Sequence, residues 1–295
     1  MRTIAHVAAT LILFAASISH AQEAAKTLDL TLHDANGADA LIRLFERGET
    51  DYAFGESVAG IASAGRVSLS IHADSVKAGL EEVFKALDPP HKHGFDYFVE
   101  DRVFHLRCRK PYRFPEPLWR PATDPSSVRT SISAQANSAD AVLSRMFDQA
   151  GVDYIFARTD ERTTGYSAND VPFESALRGF VSSQLPDYAV DRVQGAFTVY
   201  WRRHREDSEG PISLRFTCMD LRYAIKALFT VARINYTLDQ AVAGHVYARL
   251  KDVSIRRALE SILRCSTQGL TYRIEDGVYI IYPKREDADL GPELR

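Results

Sequence analysis

The chain has little with which to do covalent or redox chemistry. It contains only three cysteines in 295 residues, Cys108, Cys218 and Cys265, and no C-x-x-C pair. Thiol–disulfide exchange therefore has no motif to rest on, and at least one thiol must stay outside any intrachain pairing. Cys218 and Cys265 lie close enough in sequence to be a disulfide candidate, and buried unpaired thiols are the alternative. There is no H-E-x-x-H and no His/carboxylate set with a third ligand. His91-Lys92-His93, with His72 or His105, is too sparse to define a metal centre, so no metal or cofactor is expected. The formal net charge of −3 is close to balance, which argues against a dedicated nucleic-acid binder. Beyond the N-terminus no apolar run is long enough to cross a bilayer as a helix.

Residues 1–21 have the layout of a cleavable signal peptide. Arg2 supplies the positive end, Val7 to Ile18 is apolar apart from Thr10 and Ser17, and Ser19-His20-Ala21 precedes cleavage at Gln22. No cysteine follows the cleavage point, as lipid attachment would require. Export to the periplasm, with no integral membrane segment left after cleavage, is the expectation.

What the remainder has in abundance is self-similarity. Phe45/Tyr52, Phe147/Tyr154 and Phe229/Tyr236 are three aromatic pairs with the same spacing of seven residues. The surrounding text reads ADALIRLFERGETDY, ADAVLSRMFDQAGVDY and LRYAIKALFTVARINY, an amphipathic helix running into a short strand. A second helical block follows in each copy (SLSIHADSVKAGLEEVF, TTGYSANDVPFESALRGFV, HVYARLKDVSIRRALESIL), then a hairpin ending (FDYFVEDRVFHLRC, YAVDRVQGAFTVYW, LTYRIEDGVYIIYP).

The third copy sets the pattern. Ile212, Leu214 and Phe216 alternate as in a half-buried strand, and Asp220 is placed to cap a helix. Asp252 or Ser254 starts a second helix whose stripe is Ile255, Ala258, Leu259, Ile262 and Leu263. Glu275-Asp276-Gly277 reads as a hairpin turn. The expected fold is α+β: three tandem small two-layer βαββαββ modules at 27–110, 128–202 and 211–283. A proline-rich linker (111–127), a charged linker (203–210) and a flexible tail (284–295) separate and end them.

These blocks resemble the short N-terminal domain of secretins and TonB-dependent transducers. The likeness is clearest over 220–283, good over 139–200 and looser over 28–106, where FGESVAGIASAGR lengthens the middle. It rests on the helix, the (N/D)Y strand and the DVxxxxAL stretch (Asp170-Val171 to Ala176-Leu177; Asp252-Val253 to Ala258-Leu259). The first copy departs from it with HADSVKAGL. The resemblance implies a non-enzymatic role in periplasmic protein–protein contact, as an adaptor or signalling component of an envelope transport or regulatory system. The partner would be an inner-membrane regulator or an outer-membrane channel, placing the chain near the outer membrane. The competing reading is a structural subunit of a secretin-like assembly, which leaves homo-oligomerisation open. A small-ligand binder or hydrolase is the third.

Candidate site residues are few. Gly55-Glu56-Ser57-Val58-Ala59-Gly60 has the spacing G-x-S-x-x-G, not that of a nucleophile elbow, and reads better as a turn or small-residue insertion with no strand before it. Asp51, Asp153 and Asn235 precede the anchoring tyrosines and suit local hydrogen bonding at a helix-to-strand junction. Arginines cluster at Arg107/Arg109, Arg202/Arg203/Arg205 and Arg256/Arg257/Arg264. Of these, Arg203, Arg205, Arg256 and Arg257, with Tyr279 and Ile281 on the last strand, are the candidates for partner contact.

Overall fold

The fold was taken from a computed structural model, which describes residues 27–88, 94–109, 127–159, 163–202 and 210–284. The proposed signal peptide, His91 and His93, the proline-rich linker up to residue 126, Arg203, Arg205 and the tail from 285 onward lie outside the described residues.

The chain is an α+β protein with mixed sheets and, among the described residues, seven helices. The first segment runs β1 (Leu28–Asn36), α1 (Gly37–Arg47), β2 (Asp51–Gly55), α2 (Glu56–Ala64), β3 (Arg66–Ala73), α3 (Val76–Leu87), β4 (Phe95–Glu100) and β5 (Val103–Cys108). The second has β6 (Arg129–Ser138), α4 (Ala139–Ala150), β7 (Tyr154–Ala157), β8 (Thr163–Pro172), α5 (Phe173–Gln184), β9 (Tyr188–Val193) and β10 (Ala196–Trp201). The third has β11 (Ile212–Asp220), α6 (Leu221–Ala232), β12 (Tyr236–Leu238), β13 (His245–Val253), α7 (Ile255–Arg264), β14 (Leu270–Glu275) and β15 (Val278–Pro283). The extra helix α2 stands where an irregular insertion was expected, and strand β2 does precede it. Val58, Ala59 and Ala62 are buried in the first core, so packing holds this small-residue stretch helical despite Gly60.

Local signals explain the element ends. Asn36, Ser75, Ser138, Asp220 and Ser254 each accept a backbone N–H of the following helix's first turn. Asp252 does not cap; it sits at φ 56° where the β11–β13 register shifts, and Asp170 adopts φ 48° beside the shift in β6–β8. The aspartate of the DV motif is thus a bulge residue, a left-handed position that Asp tolerates better than most side chains. The hairpin turns carry positive φ at both central residues: Asp276 and Gly277, Gln194 and Gly195, Asp101 and Arg102.

The same pairing recurs three times. The first and third strands form an antiparallel ribbon: β1–β3, β6–β8 and β11–β13. The second strand runs parallel to the last, which pairs antiparallel with the one before it: β2–β5–β4, β7–β10–β9 and β12–β15–β14. Three buried clusters lie mainly within the three segments, the third also taking in Ala53, Val103, Ile155 and Ala196, and in each segment the Phe–Tyr rings stack, with centroids 5.0, 4.5 and 4.8 Å apart.

The segments are not beads on a string. The β11–β13 ribbon takes β2 on one side and β7 on the other, giving one eight-stranded sheet in the order β4-β5-β2-β13-β11-β7-β10-β9. The first and second segments pair by strand only with the third among the described residues.

Candidate functional site

The strand-addition junction around β11–β13 is where chemistry-bearing side chains converge. In each flanking segment the residue after the anchoring Phe is acidic (Glu46, Asp148), and so is the residue before the Tyr (Asp51, Asp153). The ribbon they meet is basic. Arg215 Nη2 lies 2.7 Å from Glu46 Oε1, Arg215 Nη1 3.9 Å from Asp148 Oδ1, and Arg249 Nη2 3.8 Å from Asp148 Oδ2. Arg215 is opposite Arg249 across the ribbon, Tyr154 is opposite Arg215, and Tyr52 is opposite Arg249. The arrangement is close to two-fold about the ribbon. Two like charges facing each other are tolerable because the carboxylates straddle them.

The aspartates before the tyrosines do not serve locally. Asp153 Oδ1 accepts the Thr217 N–H at 2.8 Å, and Asp51 Oδ2 accepts the Lys251 N–H at 3.2 Å, both across segment boundaries. Burial pushes the Asp153 carboxyl up to about 7 and raises that of Asp51, with the backbone bonds and nearby cations opposing. The two carboxylates serve different backbone donors, each bracing a separate segment boundary.

Further contacts lock the third segment onto the first. Phe54 stacks on Tyr247 at 5.0 Å and 6°. Gly55 lies so close to the Cys265 carbonyl that a Cβ there would collide with it. His245 Nδ1 is 3.1 Å from Glu56 Oε2, a contact that raises the imidazole pKa. On the second segment's side, Arg158 Nη1 is 3.6 Å from Asp252 Oδ1, and the Arg158 N–H donates to the Pro211 carbonyl.

The candidate partner-contact residues divide. Arg257 Nε lies 3.8 Å from Asp101 Oδ2, and Arg264 pairs with Glu100, so both reach the first segment's β4–β5 turn. Arg256 is exposed. Tyr279 and Ile281 are buried, Tyr279 against Phe229 and Tyr272, so the pair belongs to the third core and offers no free face. Cys218 and Cys265 are not joined by a disulfide. A bulge at Cys218, φ 60°, sends its side chain into the first segment's core, while Cys265 ends α7 in the third.

Ser57 Oγ is buried and makes no hydrogen bond with any described residue, so no general base is paired with it among them. His105 is buried against Phe98, rings 4.9 Å apart, and burial together with Arg257 lowers its pKa to about 4. His72 contacts Asp29 on the exposed ribbon face. Among the described residues no three His, Cys, Asp or Glu side chains lie together as a metal set. No helix among the described residues is long and apolar enough to cross a membrane.

Sequence reasoning missed Arg215, Arg249, Glu46 and Asp148. Their signal was present: the position after the anchoring Phe and the position before the Tyr are acidic in the first two segments but Thr230 and Asn235 in the third, while Arg215 and Arg249 stand in the third segment's ribbon where the second has Ser133 and Ser167. Comparison with protein-family models, with curated proteins and with solved structures finds no match to this chain.

Proposed function

We propose that the chain is a non-enzymatic periplasmic protein–protein interaction or signalling adaptor built from three copies of the secretin/TonB short N-terminal domain. Residues 1–21 act as its signal peptide, 27–110, 128–202 and 211–283 are the modules, and 111–127 and 203–210 are linkers. The observation that carries this reading is the mode of joining. Each copy presents an edge strand and a two-stranded ribbon, and the copies bind one another by adding the first to the second. Strand addition is a general recognition mode in which main-chain hydrogen bonds supply affinity and flanking side chains supply selectivity. A chain that uses it twice internally, and has edges left over, is suited to binding other envelope proteins the same way.

The partner class follows from the family resemblance: an inner-membrane regulator or an outer-membrane channel. A structural role in a secretin-like assembly is the second reading, favoured by the free β12 edge and by the two ribbons that take no added strand among the described residues. The test is in-cell photo-crosslinking from exposed positions such as Arg256 and Thr237, with cell fractionation and N-terminal sequencing of the product. Release into the periplasm beginning at Gln22, with crosslinks to an envelope regulator or channel, is expected. A cytosolic chain that retains residues 1–21 would overturn the reading. Crosslinks only between copies would move it to the structural alternative.

A further inference from the structure

In the first two segments the strand carrying the anchoring Tyr is paired on both sides, β2 between β5 and β13, β7 between β10 and β11. Its equivalent in the third segment, β12, pairs only with β15 among the described residues. The Asn235 carbonyl accepts from Tyr279 N–H and Asp239 N–H donates to the Ile281 carbonyl, so by strand alternation the N–H and C=O of Tyr236 and Leu238 face away from β15. Asn235 and Thr237 are exposed. The edge is open.

The receiving half is also present and unused. Ribbons β1–β3 and β6–β8 have the topology of β11–β13 but, among the described residues, no added strand. On β1 the Asp29 carbonyl is occupied by Arg47 Nε, and the ribbon's outer face carries Asp29, Arg66 and His72. On β6, Ser131 Oγ is already bonded to Asp170 N–H and Asn169 Oδ1. On β8, the stretch Gly165–Ala168 carries no charge, and Gly165 and Ser167 are exposed.

We propose that β12 of one copy adds to the free edge of β8 in a second copy, in the antiparallel register by which β2 adds to β13. Arg249 and Ser167 each stand six residues before the start of their following helix, α7 or α5. The internal pairs Arg249–Tyr52 and Tyr247–Phe54 then become Ser167–Tyr236 and Gly165–Leu238 between copies. Charge sorts the sites. The basic ribbon Arg215/Arg249 selects the acidic flanks Glu46/Asp51 and Asp148/Asp153, whereas β12 is flanked by Thr230 and Asn235 and matches the uncharged Ser133/Ser167 ribbon. The second copy is the occupant because one chain holds both halves and the template for joining them. Such a contact is head-to-tail, so it propagates into a ring or an open chain rather than stopping at two. It rests on the reading of the three segments as copies of one module.

The experiment is light scattering of the full chain across a concentration series, with Ser167→Glu and Leu238→Pro. The first places a charge under the incoming Tyr236; the second removes an outward N–H without touching the β15 ladder. The wild type should grow in mass with concentration while each variant stays at the mass of one chain, with unchanged circular dichroism. An equimolar mixture of the two variants, one with an intact β12 and the other with an intact ribbon, should form a dimer and go no further. A wild type that stays monomeric, variants that associate like the wild type, or a mixture that stays monomeric while the wild type associates would each overturn the proposal. None of these bears on capture of an envelope regulator, which the crosslinking experiment reads separately. If Leu238→Pro misfolds, Thr237→Pro is no substitute, since its N–H serves β15; Ser133→Glu with Thr230→Arg, the positions of Arg215 and Glu46 in the internal joint, then tests whether a charge pair supports association where Ser133→Glu alone abolishes it, and failure to restore it counts against the proposed register.

Discussion

Asp153 makes the junction sensitive to pH, and its effect can be worked through. Its carboxyl is buried between β7 and β11, and burial holds its folded pKa near 7 against an ordinary value of 3.8. The folded state therefore binds a proton that the unfolded state has released between those two values. Stability is fully present below about pH 4 and is lost as pH rises through about 7. A displacement of roughly three pH units, at about 1.4 kcal/mol each, gives about 4 kcal/mol over the whole window. About 2–3 kcal/mol of that falls between pH 5 and 7. Asp153→Asn keeps a carbonyl oxygen to accept the Thr217 N–H but cannot ionise. Urea unfolding of both proteins at pH 5, 6, 7 and 8 isolates the residue, because the other titrating groups, including Asp51 with its own raised pKa, are common to both. Wild type minus variant should fall steadily to pH 7 and flatten above it. Parallel profiles would refute a buried, ionisable Asp153 at this joint.

Four other outcomes follow from the contacts. Arg215→Ala strips the cation from Glu46 and Asp148 and should cost about 2–3 kcal/mol in urea unfolding, reduced from a fully buried pair because both carboxylates are partly exposed. Gly55→Ala drives a Cβ into the Cys265 carbonyl and should open the first segment from α7, seen as new proteolytic cleavage between segments with little change in helix content. Intact mass under non-reducing conditions should show Cys218 and Cys265 reduced, and Cys265→Ala should not raise the reactivity of Cys218. His245→Gln removes a charge-assisted contact with Glu56; the raised imidazole pKa makes that contact a stabilising one at acid pH that fades as pH rises through neutrality, so wild type and variant should converge at high pH.

Much of the chain was legible because its signals are local. Asp220 caps α6 as its position suggested, Asp276-Gly277 turns the last hairpin, and the Phe–Tyr spacing marks the same stacked pair three times. The helix α2 was hidden because Gly60 and a run of small residues carry weak propensity, and it is held by burial against β5 and β13. Joining by strand addition was hidden for a deeper reason. Main-chain hydrogen bonds leave no side-chain periodicity, so β2 and β7 look the same in sequence as β12, which is paired on one side alone among the described residues. Only the charges betray the difference: Arg215 and Arg249 occupy the ribbon positions where the second segment has Ser133 and Ser167. The aspartates before the tyrosines suggested local bonds because nothing in a single sequence says that their donors lie 64 and 200 residues away.

The most direct test of the account is amide hydrogen exchange resolved by residue, at a dilution where the chain is monomeric. Tyr52 and Phe54 on β2, and Tyr154 and Phe156 on β7, turn their N–H groups toward the β11–β13 ribbon, whereas the equivalent Tyr236 and Leu238 on β12 face solvent. The account predicts slow exchange for the first four, matching the strands of the third core, and fast exchange for the last two. Exchange of Tyr52, Phe54, Tyr154 and Phe156 as fast as that of Tyr236 and Leu238 would contradict it and mean three modules that fold side by side without sharing a sheet.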